Sequence, residues 1–173
     1  MNKLALLPIA ALLTAALPAS AASPCDAVVS ATLKVLQVPA HLYMTETGGR
    51  TRNSEIIYLN RSMYIRVEGQ WRKSAVPTKT LAESKIESED RIGICSVVRD
   101  EAVGGEPATL FKVHNKSEDA VDGQIWVSKL RGLPLKQSYD LDVGGGPRGV
   151  THNEIRYEYT NVSAPAVTES KNK

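Results

Sequence analysis

The chain has 173 residues, a formal net charge of +2, and 23% charged residues with the two signs interspersed. That excludes the clustered basic footprint of a nucleic-acid binder. Two cysteines and a length suited to one domain with a real core bound the remaining possibilities.

The N-terminus reads MNKLALLPIAALLTAALPASAA. Lys3 supplies a positive n-region, Leu4 to Leu17 an apolar stretch, and Ala19-Ser20-Ala21 a small-residue cleavage pattern, so residues 1–22 are expected to be a secretory signal peptide. The apolar stretch falls short of the ~20 residues of a spanning helix and is interrupted by Pro8 and Pro18. Cys25 follows Pro24, where a lipid attachment signal wants a small residue, so acylation of Cys25 is not expected. The mature protein is expected to be periplasmic, with no stable membrane insertion. Residues 23–163 are expected to form its single domain, and residues 164–173 a disordered tail without core residues.

In an oxidising compartment Cys25 and Cys95 are expected to form a disulfide. A redox-active pair would call for a Cys-x-x-Cys arrangement, which the chain lacks. Three Asn-x-Ser sequons, at Asn60, Asn115 and Asn161, matter only in a eukaryotic secretory route.

The spacing of Val28, Val29, Leu33 and Leu36 predicts one amphipathic helix, capped by Asp26 and ended before Pro39. Strand patterns follow. HLYMTET (41–47) precedes a turn at Gly48-Gly49, and SEIIYLN and SMYIRVEG make a hairpin around Asn60-Arg61. QWRKSAV continues with Trp71. The charged segment 77–91 breaks the alternation and is expected to be an irregular or helical excursion. Residues 93–103 and 107–114 flank a turn at Gly104-Gly105. QIWVSK, LPLKQSYDLD and NEIRYEYTNV complete the series. In the last, Ile155, Tyr157 and Tyr159 alternate with Glu154, Arg156 and Glu158. Such a succession implies an antiparallel meander, one face wet and the other in need of a cover. One helix and one excursion are a thin cover, so the sheet curls over them, closes, or leaves an apolar groove.

Chemistry is sparse. His41, His114 and His152 show no metal-ligand spacing, and no Gly-x-Ser-x-Gly elbow is present. DVGGGPRG (142–149) is glycine-rich, but the strand expected after it would supply no helix N-terminus for a phosphate. Glu83, Glu87, Glu89 and Asp90 read as a solvated acidic face rather than a catalytic pair. No enzyme, metal or cofactor emerges. The aromatic residues are sheet and core residues, some of which line a cavity if one exists.

The Trp126 strand, the turn Leu130-Arg131-Gly132-Leu133-Pro134 and the return strand with Lys136 resemble the LolA/LolB-like superfamily of periplasmic lipoprotein carriers. YMTETGG followed by IIYLNRSMYIRVEGQW is also similar to the N-terminal domain of the RseB/MucB envelope-stress regulators. The order of elements agrees over most of the mature chain. The resemblance implies an α+β fold, a strongly curved antiparallel sheet forming an incomplete barrel. Its concave side would be covered by the N-terminal helix and the mid-chain excursion, around a cavity for acyl chains. On that reading the protein is a non-enzymatic binder of a lipid or other hydrophobic ligand, lined by Met63, Ile65, Trp126, Leu135 and Tyr157. The alternative partner is an envelope protein, met through an exposed strand edge or rim, with no bound ligand.

Overall fold

The computed structural model describes residues 23–48, 50–74, 92–116, 122–142 and 149–167. The expected signal peptide, the expected excursion at 77–91 with its carboxylates, most of the glycine-rich loop and the last six residues lie outside the described residues.

The helix α1 (Pro24–Val35) starts earlier than the spacing predicted. Ser23 is its N-cap: the Asp26 amide donates to Ser23 Oγ at 3.2 Å, while Asp26 Oδ2 accepts from the Ser23 amide at 2.9 Å. This reciprocal pair satisfies two otherwise orphaned donors, and Pro24 at the first helical position lacks one to begin with. Asp26 is thus the third helical residue and not the cap. Val28, Ala31 and Val35 form the buried face of α1.

Nine strands follow: β1 (Ala40–Thr47), β2 (Arg52–Leu59), β3 (Ser62–Val67), β4 (Gln70–Lys73), β5 (Ile92–Val103), β6 (Glu106–Asn115), β7 (Asp122–Ser128), β8 (Pro134–Asp142) and β9 (Val150–Glu158). All pair antiparallel, in the order β4-β3-β2-β1-β9-β8-β7-β6-β5. The sheet is open and curved, an incomplete barrel with α1 packed on β5 to β8.

The sheet is two meanders rather than one. They are zipped together by the first and last strands, Leu42 of β1 lying opposite Tyr157 of β9. Three tight hairpins share one mechanism. Asn60-Arg61, Glu68-Gly69 and Gly104-Gly105 all have positive φ at both central positions. That conformation matches the right-handed twist of the flanking strands. Only the third pair is made of two glycines.

Cross-strand register separates the faces. Leu42, Ile56, Phe111, Ile125 and Ile155 lie on the helix side, in apolar clusters with Val28, Ala31 and Val35. The opposite face carries ion pairs: His41–Glu55–Arg66, His114–Asp122–Lys112, His152–Asp140 and Lys136–Glu154. The alternation predicted one wet and one dry face, but the face opposite α1 is wet only in part: Ala108, Leu110 and Trp126 are buried there in a cluster with Leu135.

Candidate functional site

α1 is clamped across the dry face at both ends. Cys25, in its first turn, is disulfide-bonded to Cys95 of β5. Near its other end, Lys34 Nζ donates to the Arg131 carbonyl at 3.0 Å, in the turn between β7 and β8. That turn is itself held from within. The Leu130 and Arg131 amides donate to Ser128 Oγ, the Gly132 amide donates to the Ser128 carbonyl, and Gly132 has φ +61°. The Arg131 guanidinium grips Glu106 through Nε at 2.9 Å and through its second nitrogen. The Arg-Gly-Leu-Pro stretch therefore anchors the helix to the sheet.

Beneath the clamped helix lies a cavity of about 330 Å³. Val28 and Thr32 of α1 form its roof, and Val113, Ile125, Tyr139, Leu141 and Ile155 contribute from β6 to β9. Its remaining lining residues are Ile92, Gly123 and the uncharged polar Asn115, Gln124 and Gln137, so no charged side chain lines it. Gln137 Oε1 accepts from the Tyr157 hydroxyl at 3.0 Å, and burial holds the Tyr157 phenol well above its ordinary pKa. Burial raises Tyr139 and Tyr58 in the same way, with Glu46 adding to the effect on Tyr139. These hydroxyls stay neutral through the physiological range. The site can sequester an apolar or uncharged group, and it has no counter-ion for a buried charge.

A second hollow, of about 710 Å³, lies near the end of the sheet where the β7–β8 turn sits. Val103, Leu135, Tyr157 and Tyr159 border it, with Glu106, Arg131, Arg156 and Glu158. It is larger but charged, and Glu106 and Arg131 saturate one another. Arg131 also lies 4.9 Å from the Tyr159 ring centroid, and the Tyr159 hydroxyl donates to the Pro134 carbonyl. Volume alone favours this hollow. The chemistry of the walls favours the smaller one for a hydrophobic guest.

The five residues expected to line a site do not converge on one cavity. Met63 and Ile65 lie on the dry face at β3, half-buried, opposite Tyr58 and Ile56. Leu135 and Tyr157 meet at the larger hollow. Trp126 is buried away from α1, in an apolar cluster with Ala108, Leu110 and the same Leu135; its indole donates to Glu101, and Lys136 Nζ sits 5.2 Å from the ring centroid. Sequence reasoning did not single out Ile125, Val113, Tyr139 or Ile155 as lining. The run Ile125-Trp126-Val127 is apolar at every position, so alternation could not tell which parity faces inward.

The three histidines each face a carboxylate on the neighbouring strand of the wet face, and no group of three metal-binding side chains occurs among the described residues. No described helix is long and apolar enough to cross a membrane.

No family model matches the chain, and no curated protein matches it. Solved structures do. The lipoprotein LppX of Mycobacterium tuberculosis matches at 10% identity over 80% of this chain and 99% of that one, with a TM-score of 0.47. LprF from Mycobacterium bovis matches at 10% identity over 82% and 96%, TM-score 0.43. MucB in complex with MucA(peri) matches at 18% identity over 83% of this chain and 57% of MucB, TM-score 0.44.

Proposed function

We propose that this chain is a non-enzymatic periplasmic protein that takes up a lipid tail, an acyl chain or another uncharged hydrophobic ligand beneath α1. The observation that carries the reading is the cavity itself: a helix clamped at both ends, over apolar and neutral polar walls, without one charged side chain. Each methylene moved out of water contributes about 0.8 kcal/mol, so one chain binds usefully without specific polar contacts. A charged headgroup stays outside, because the walls offer it no partner. The N-terminal signal pattern and a disulfide that favours an oxidising compartment support that location.

The test is native mass spectrometry of the mature protein purified from its own envelope, followed by denaturation and organic extraction. A stoichiometric lipid in the extract is the expected result and identifies the cargo. A mass equal to the bare chain, with no uptake of added fatty acids or phospholipids, would sink the reading.

A further inference from the structure

The two edges of the sheet are treated differently. β4 ends the sheet with four residues, Gln70–Lys73, two of them basic. A short, charged edge is a usual protection against strand addition. β5 ends the other side with twelve residues, and its run Ile92-Gly93-Ile94-Cys95-Ser96-Val97-Val98 has no charge and no proline. Ile94 is 69% exposed, Val97 57% and Val98 47%. Three of the large exposed hydrophobics among the described residues therefore stand within five positions. Along its outer side β5 has no strand partner among the described residues. The disulfide through Cys95 pins this edge to α1 and holds it extended.

We propose that the outer edge of β5, centred on Ile94 to Val98, is a docking site for an extended, uncharged segment of a different protein, which adds to the sheet as a tenth strand. Unpaired backbone donors and acceptors along an edge are satisfied by another extended backbone. The partner segment is apolar because a charge set against this run would lose water without gaining a counter-ion.

The charges flanking the run argue against a second copy. In sequence it is bracketed by Glu89-Asp90-Arg91 and Arg99-Asp100-Glu101, a mirror pattern about Cys95. Antiparallel self-pairing about that centre would set arginine against arginine and carboxylate against carboxylate. Register shifts between Ile92 and Ile94 and between Val97 and Arg99 limit the regular edge to Ile94–Val97, so one short added strand fits and indefinite extension does not. This site is separate from the cavity and does not depend on its contents.

The experiment is amide hydrogen exchange on the mature, disulfide-bonded protein. The probe is a soluble synthetic peptide alternating threonine and valine over about seven residues, the length of the apolar run, with a terminal lysine and glutamate. In the free protein, amides on the outer side of β5 are expected to exchange far faster than those of β7. The peptide should slow exchange across residues 94–98, and a peptide N-methylated at alternate positions should not. Val97→Lys, and Ile94→Lys as a second exposed variant should the first misfold, should weaken the peptide by about tenfold with the thermal midpoint retained. Four outcomes would overturn the proposal. They are no protection at about 1 mM peptide, protection on β4 instead, free β5 amides already as slow as β7, or a protein dimer that Val97→Lys dissolves.

Discussion

Cys25, in the first turn of the helix, is bonded to Cys95 in the edge strand 70 positions later. The bridge fixes the roof of the cavity to the margin of the sheet, while Lys34 ties the other end to the β7–β8 turn. Closing so long a loop restricts the unfolded chain strongly. Replacing both cysteines by serine is expected to cost about 3–4 kcal/mol. Urea unfolding of the double variant measures this. Because the Lys34 contact and the packing of Val28, Ala31 and Val35 remain, the variant should keep a folded sheet at low denaturant.

The Tyr157 hydroxyl donates to Gln137 inside the dry face. Tyr157→Phe leaves the Gln137 oxygen without that donor, and a loss of about 1–2 kcal/mol is expected. The phenol also makes a prediction at high pH. Its folded pKa lies above the unfolded value, so its contribution is complete below about pH 10. It is lost as pH rises, because the unfolded chain releases the proton first. A spectrophotometric titration should show the native protein withholding Tyr157 from ionisation until it unfolds, and alkaline stability falling less steeply in the Phe variant.

Glu106 is one of the carboxylates that contribute on the acid side. The Arg131 guanidinium holds its carboxyl below the usual carboxylate range, with Ser128 assisting against the opposing effect of burial. A depressed folded pKa contributes stability above the unfolded value and loses it as pH falls through the folded one. Glu106→Gln should therefore destabilise near neutrality by about 1 kcal/mol, the pair being partly exposed. It should match the parent once pH drops below the folded pKa. Chemical denaturation across this range, parent against variant, measures the convergence. Curves that stay parallel would show that Arg131 does not act on Glu106 as a charge.

Much of this fold was legible because local rules agreed. The positions of Asn60-Arg61 and Gly104-Gly105 placed two hairpins where they lie, and alternation in NEIRYEYTNV found β9 but set both its ends late, 153–162 against Val150–Glu158. The pairing of Leu42 with Tyr157 was not legible, because alternation sets which face a residue occupies and not which strand lies beside it. Ser23 was hidden as a cap because Asp26 serves equally well by type. Only the hydrogen bond back from Asp26 separates the two. At the candidate site the obstacle was parity. Trp126 attracted attention by its size, yet Ile125 and Val127 carry the inward face on either side of it.

That last distinction yields a test of where the ligand sits. Trp126 packs with Ala108, Leu110 and Leu135 and contacts Glu101 and Lys136, away from α1, whereas Val113 borders the cavity beneath α1 and is half-buried. Trp126→Phe removes the indole donor and weakens the cation–aromatic contact, so it should cost about 1–2 kcal/mol. It should leave uptake of a fluorescent fatty acid unchanged. Val113→Phe adds volume where the guest would lie, at an expected cost of about 1–3 kcal/mol from overpacking, and should lower uptake by about tenfold. Fluorescence titration of both variants, beside their unfolding curves, separates lost fold from lost cavity. If Trp126→Phe abolished uptake at full stability while Val113→Phe did not, the ligand would lie on the opposite face of the sheet, and α1 would be a structural brace rather than a roof.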